Sequence, residues 1–208
     1  MKTLFNMHEQ KDDVCSAQVA LLLTYHAPTI YDRTNSYWLS TAIHFARMCG
    51  ADKYQSCGLG FDCKATLKRL WWCCILRDRI MALGLRRPLQ IKPTDFDFSK
   101  PGLLEDDFQD EIYSSKVYEP ATKRVLVHLA ASLCDLAVAM NDIITFCYTP
   151  RPDDESGTLD CSSHDFRGTL AKLDKWHQAA GAKLHVPSRL SQTHGSLTLF
   201  VNVIYIYY

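Results

Sequence analysis

The sequence predicts an all-α fold of about seven helices. Three observations carry that expectation. Apolar residues recur at steps of three and four along several long segments, the spacing of a single helix face. Prolines fall between those segments or in a first helical turn, where the missing N–H costs nothing. Gly50 follows one segment in the place where a left-handed residue closes a helix.

Val14 to Tyr25 reads as the first helix, with Val14, Leu21, Leu22 and Tyr25 on one side. Pro28 and its polar neighbours break it. Thr34 or Asn35 can cap the second helix, Ser36 to Cys49, whose stripe is Trp38, Thr41, Ala42, Phe45 and Met48. Residues 51 to 64 read as a loop.

The central helix lies within Thr66 to Pro88, TLKRLWWCCILRDRIMALGLRRP, and the rest of the chain is organised around it. Leu67, Trp71, Cys74, Asp78, Met81 and Leu85 form one stripe, and Trp72, Ile75, Leu76 and Leu83 occupy a second face. A helix that is apolar nearly all round is a buried helix. Asp78 lies on the buried stripe, and a buried charge is costly unless paired. It therefore needs a cationic partner, and Arg86 and Arg87 beyond the helix end are the expected ones.

Pro88, Pro93 and Pro101 make the next segment an extended strap, pinned by Ile91, Phe96 and Phe98. LLEDDFQDEIYSS reads as a short acidic helix. Glu119 to Cys147 is the longest helix, with Leu126, Leu129, Leu133, Leu136, Met140, Ile143 and Cys147 in a heptad-like stripe. Its flanks carry Ala130, Ala131 and Ala137 instead of zipper charges, so it reads as a bundle helix. Ser162 or Ser163 can cap a further helix, Asp165 to Ala182, with Phe166, Leu170, Leu173, His177 and Ala180 on one face. The chain closes on an apolar run, Leu197 to Tyr208, without a stop signal, and is expected to be truncated.

The 208 residues are 47% hydrophobic with zero formal net charge, a globular composition for one large domain or two small ones. Balanced charge provides no electrostatic pull towards nucleic acid or an anionic membrane surface. The nine cysteines are odd in number, contain no C-x-x-C and fall mostly on apolar faces, which points to a reducing compartment. The N-terminus lacks the apolar run of a signal peptide. No membrane span is expected: Leu129 to Cys147 is interrupted by Asp135, Asn141 and Asp142, and Leu197 to Tyr208 falls short of the roughly 20 residues required.

Asp106, Asp107 and Asp110 spell D-D-x-x-D, the magnesium-diphosphate pattern of isoprenoid synthases, and Asn141, Asp142 and Thr145 resemble the start of their second metal motif. Position 149 is threonine where that motif ends in glutamate, and the two segments lie too close together. A metal-dependent all-α enzyme built on these three aspartates is the alternative reading; the preferred one is a solvated acidic helix start. Cys57, Cys63 and His44 lack the paired short spacings of structural zinc. Cys73 and Cys74 read as core. No catalytic, cofactor-binding or metal-binding residue is assigned. Lys64, Lys68, Arg69, Arg77, Arg79, Arg86 and Arg87 interleave with tryptophans, but a helix this apolar does not suit a nucleic-acid surface, and arginine can stack on tryptophan internally.

The central motif resembles the fungal-specific transcription factor domain, the middle homology or regulatory region of fungal zinc-cluster regulators, in the branch related to cutinase-gene activators. The residues that carry the resemblance are Lys68-Arg69, Trp71-Trp72, Asp78-Arg79, Gly84 with Arg86-Arg87-Pro88, and Asp95 with Asp97. VCSAQVALLLTYHAP, SYWLSTAIHFARMCGAD, LLEDDFQDE and the segment from Leu173 onward are similar to flanking helices of that branch, so the resemblance spans nearly the whole of residues 1 to 208. It implies a nuclear regulatory domain with Trp71, Trp72, Asp78, Arg79, Arg86, Arg87 and Pro88 as its structural hub. Its implied partners are co-regulators or other domains of the same regulator, and a small-molecule effector, with a homodimer allowed. The six-cysteine zinc cluster that reads DNA in full-length relatives is absent from these residues. Zinc and direct nucleic-acid contact are therefore not expected of this chain.

Overall fold

The computed structural model describes residues 12–25, 32–56, 58, 60–148 and 164–183. Among these residues there are six α-helices and no strand: α1 Asp13–Leu23, α2 Asp32–Met48, α3 Phe61–Leu85, α4 Gln109–Ser114, α5 Pro120–Tyr148 and α6 His164–Lys183. Short 3-10 turns form at Ala51–Lys53, Pro93–Asp95 and Glu105–Phe108. The all-α expectation holds. The terminal run Leu197 to Tyr208 and the candidate caps Ser162 and Ser163 lie outside the described residues. The chain divides into two compact units, Met1–Met81 and Ala82–Tyr208, with the boundary inside α3.

In the first unit α1 starts one residue earlier than its pattern suggests because Asp12 caps it. The Asp12 carboxylate accepts the Val14 N–H at 2.9 Å, satisfying an orphan donor of the first turn. The buried face differs from the expected one. Ser16, Ala17, Ala20, Leu21 and Leu23 are buried, whereas Leu22 and Tyr25 are 70% and 65% exposed. Small residues win this face because α1 packs against α2, and alanines let two helices approach closely. Helix α2 begins at Asp32, which places Thr34 and Asn35 in its first turn instead of ahead of it. Its buried residues are Trp38, Leu39, Ala42, Ile43 and Ala46; Met48 is exposed. Gly50 adopts φ 75, as expected of a glycine closing a helix.

In the second unit the strap runs as expected, with Ile91 fully buried, Phe96 buried, and the Phe98 ring edge-on to Phe96 at 5.1 Å. Helix α5 packs against α6. Leu129, Leu136, Ala139, Met140 and Ile144 of α5 join Ala82, Leu89, Trp176 and Ala180 in one core cluster. Long α5 is buried on two faces, not along a single heptad seam: Leu126, Leu133 and Ile143 are only half-buried, while Lys123, Val127, Cys134 and Asn141 are inside. On α6 the buried aromatic is Trp176, one position before the expected His177. Its indole N–H donates to the Ser132 carbonyl at 2.9 Å. Leu170, predicted on the inner face, is 40% exposed. The expected stripe is shifted only in part: Ala180 is buried and Leu173 packs against the core as predicted, while Thr169 and Trp176 take the buried places expected of Leu170 and His177.

By length and apolar composition α5 is long enough to cross a membrane, with a mean hydropathy of 1.5 over its best window. Half of that window is buried inside the protein. Leu129, Leu136, Ala139, Met140 and Ile144 of this helix belong to the core cluster of the unit.

Candidate functional site

The central helix begins at Phe61, taking in the last four residues of the expected loop, and its middle is the most densely buried part of the first unit. Trp71, Trp72, Cys74, Ile75 and Asp78 have no exposed surface, and Arg79 is 1% exposed. Burying an indole removes roughly 150–250 Å² from water, worth about 4–6 kcal/mol as an upper figure. The two tryptophans are therefore the main anchors of α3. Each also has a specific neighbour. Trp72 donates its indole N–H to the Tyr54 hydroxyl at 3.1 Å, tying the turn after α2 onto α3. The Arg47 guanidinium of α2 lies over the Trp71 ring, 6.0 Å from its centre.

Asp78 has a cationic partner, as its burial demands. The Arg79 guanidinium donates to its carboxylate at 3.0 Å, with the two side chains 2% and 0% exposed. This partner is the next residue in the chain, and the expectation built on Arg86 and Arg87 did not include it. The pair lies in the protein interior, where the dielectric is low and an uncompensated charge is very costly. Burial pushes the Cys74 thiol well above its usual range, and the charges of Cys73, Cys49 and Asp78 act in the same direction. Cys74 is a buried thiol packed in the core.

Arg77 serves a different element. Its Nε donates to the Thr24 hydroxyl at 2.8 Å and its terminal nitrogen to the Thr24 carbonyl at 2.6 Å, while its guanidinium lies 3.9 Å from the centre of the Tyr25 ring. Thr24 is the C-cap of α1, so a cation sits where the helix leaves its last carbonyls unsatisfied. Of the basic cluster, Arg77 and Arg79 are used inside the unit, which agrees with the internal reading; Arg47, outside that cluster, stacks on Trp71.

The turn that ends α3 belongs to the second unit. Arg86 N–H donates to the Leu83 carbonyl at 3.3 Å and Arg87 N–H to the Ala82 carbonyl at 3.0 Å, the paired bonds of a Schellman motif. Arg86 occupies its left-handed position with φ 51, where glycine is usual. Gly84, singled out in the sequence as the turn glycine, instead lies within the last turn of the helix. Pro88 follows and cannot continue the helix.

The acidic segment is anchored to α5. Glu105 accepts from Arg124 at 3.1 Å, and Arg124 also donates to the Tyr113 hydroxyl at 2.9 Å. The buried Lys123 ammonium donates to the carbonyls of Glu111, at 2.7 Å, and of Ser115, capping the C-terminus of α4. Asp107 accepts the Leu104 N–H at 2.8 Å, Asp106 accepts from Gln109, and Asp110 is exposed. Asp142 is ion-paired with Lys172 of α6. Among the described residues no group of three acidic, histidine or cysteine side chains is arranged to hold a metal. Asp107 thus serves as a local cap and Asp106 as a partner of Gln109, while Asp110 faces solvent.

The described residues form an all-helical fold, and the sequence comparisons identify its family. The family model described as the fungal specific transcription factor domain matches residues 2–178. The chain belongs to the fungal-specific transcription factor domain family. It is 36% identical over 113 residues to cutinase transcription factor 1 beta of Fusarium vanettenii, covering 53% of this chain and 13% of that protein. It is 31% identical over 140 residues to cutinase transcription factor 1 alpha of the same fungus, covering 65% and 15%. A transcription factor of Fusarium pseudograminearum is 24% identical over 207 residues, covering 86% of this chain and 22% of the relative. The chain thus spans less than a quarter of the length of each of these proteins. No solved structure matches it.

Proposed function

We propose that this chain is the regulatory region of a fungal nuclear transcription factor, one that restrains or directs an activation function carried elsewhere. The family match over residues 2–178 carries the reading. The partners this assigns are co-regulators, other domains of the same regulator, a second copy of the chain, or a small-molecule effector. No catalytic step is assigned to it, and DNA reading is left to a zinc-cluster module outside these residues.

The buried hub supplies a mechanism. An ion pair in an apolar interior is stable only while its geometry is kept, so a small shift of α3 favours a second discrete arrangement over gradual deformation. Asp78 and Arg79 are the residues expected to set that balance.

A reporter assay tests this. The chain is placed between a heterologous DNA-binding domain and a strong activation domain. Reporter output is expected to fall relative to the same fusion without it, and Arg79→Met is expected to relieve the effect at equal protein level. Output unchanged by both the chain and the variant rules the reading out.

A further inference from the structure

We propose that the second unit contains a binding pocket for a small apolar molecule, a single ring or short alkyl chain with at most one polar end. The cavity measures about 170 Å³ and lies between Leu83 at the end of α3, the last three turns of α5 and Leu173 of α6. Its walls are continuous with the core cluster of the unit: Leu136, Met140 and Ile144 belong to both. It is therefore a recess in the core, and not a scar on the surface.

Its chemistry is one-sided. Leucine, isoleucine and methionine side chains make up most of the lining, and the two residues with polar tips, Cys147 and Tyr148, are adjacent in the last turn of α5. Apolar cavities of about 150 Å³ accept benzene-sized guests. The lining offers no charged group to hold an ion, and a pocket of this size takes one inserted group, not the face of a partner helix. A neutral hydrocarbon body with one polar atom directed to the Cys147–Tyr148 end meets these constraints.

Position gives the pocket a consequence. The Leu83 carbonyl accepts the Arg86 N–H in the turn that holds Arg86 at φ 51 and directs the chain into the strap. A guest pressing on Leu83 acts on a turn already held in an unfavourable backbone conformation. In that regulatory sense, and only there, the inference rests on the function proposed above.

The test uses the full 208-residue chain with toluene and 1-heptanol as probes and glycerol as a polar control. At about 10 mM probe the melting temperature is expected to rise by roughly 2–4 °C with toluene and heptanol and not with glycerol. Labelling of Cys147 by a maleimide, followed by peptide mass spectrometry, is expected to slow at least about fivefold when either probe is present. Ile143→Phe and Leu173→Phe, which fill the recess, are expected to weaken probe binding at least about tenfold while the helical circular dichroism is kept. The labelling arm uses the wild-type chain, so it decides the matter even if a filled variant fails to fold. Absence of both shift and protection overturns the inference, because the recess is then closed by the chain itself. An equal shift in the filled variants overturns it as a general solvent effect. Protection of Cys147 by the probes supports the pocket whatever the reporter assay shows; a failed reporter assay counts only against the regulatory reading.

Discussion

The Asp78 carboxylate lies 3.0 Å from the Arg79 guanidinium, and both side chains are almost wholly excluded from solvent. Successive residues on a helix point about 100° apart and do not ordinarily meet. This pair closes inside the protein, where neither side chain has bulk water as an alternative partner.

Removing either charge leaves the other buried. Asp78→Asn and Arg79→Met are each expected to lower unfolding free energy by about 3–5 kcal/mol. The double variant is expected to lose clearly less than the sum, with a coupling of about 1–3 kcal/mol. Urea denaturation of the four proteins measures this; strict additivity would mean that the two charges do not interact.

Arg77 caps α1 through a forked contact that lysine cannot copy. Arg77→Lys keeps the charge but loses the paired donation to Thr24, at 2.8 and 2.6 Å, and the fit over Tyr25. Both Arg77→Lys and Arg77→Ala are expected to cost about 1–2 kcal/mol and to speed amide exchange in the last turn of α1 more than elsewhere. A lysine variant indistinguishable from wild type would leave charge alone as the contribution.

The end of α3 can be improved. Arg86 pays a Cβ penalty in the left-handed region, so Arg86→Gly is expected to stabilise by up to about 1 kcal/mol. Gly84 lies within the helix, and a Cβ added there meets nothing within 4 Å. Gly84→Ala is therefore expected to add about 0.5–1 kcal/mol. Melting temperatures of the two variants and of their combination check both; a loss at Gly84→Ala would contradict the open surroundings of that position.

The cap of α1 is pH-dependent. Hydrogen bonds from the Cys15 thiol and then the Val14 N–H hold the Asp12 carboxyl below its usual value of 3.8. A depressed folded-state value favours folding above the unfolded value, and that contribution is lost as pH falls through the folded value. Helical signal at α1 is expected to decline below pH 3.8, and Asp12→Asn is expected to flatten this local dependence while keeping a cap. Amide exchange of Val14 and Cys15 across the acid range provides the measurement.

Much of the fold was legible in residue order. The five longest helices and the pinned strap follow from apolar spacing and proline placement, and the burial of Trp71, Trp72 and Asp78 follows from an all-round apolar helix. What was missed was angular or local. The buried face of α1 is rotated because alanines make the contacts and Leu22 does not, and on α6 Trp176 takes the place expected of His177 while Leu170 is exposed. Asp12 as a cap was a readable signal, an aspartate just ahead of an apolar-periodic run. Tyr54, which receives Trp72, carried no such signal, since it lies in a turn 18 residues away.

By itself the sequence determined the all-α class, the burial of the central helix and the family, because helix period and a motif of charged and aromatic residues are properties of neighbours along the chain. Only the tertiary structure decided that Arg79 meets Asp78, which helix Arg77 caps, and that Glu105 pairs with Arg124 of α5, Asp106 with Gln109 of α4 and Asp107 with the Leu104 N–H. It also decided where the core leaves a recess. These are matters of distance between side chains, set by how helices pack and not by the order in which their residues are joined.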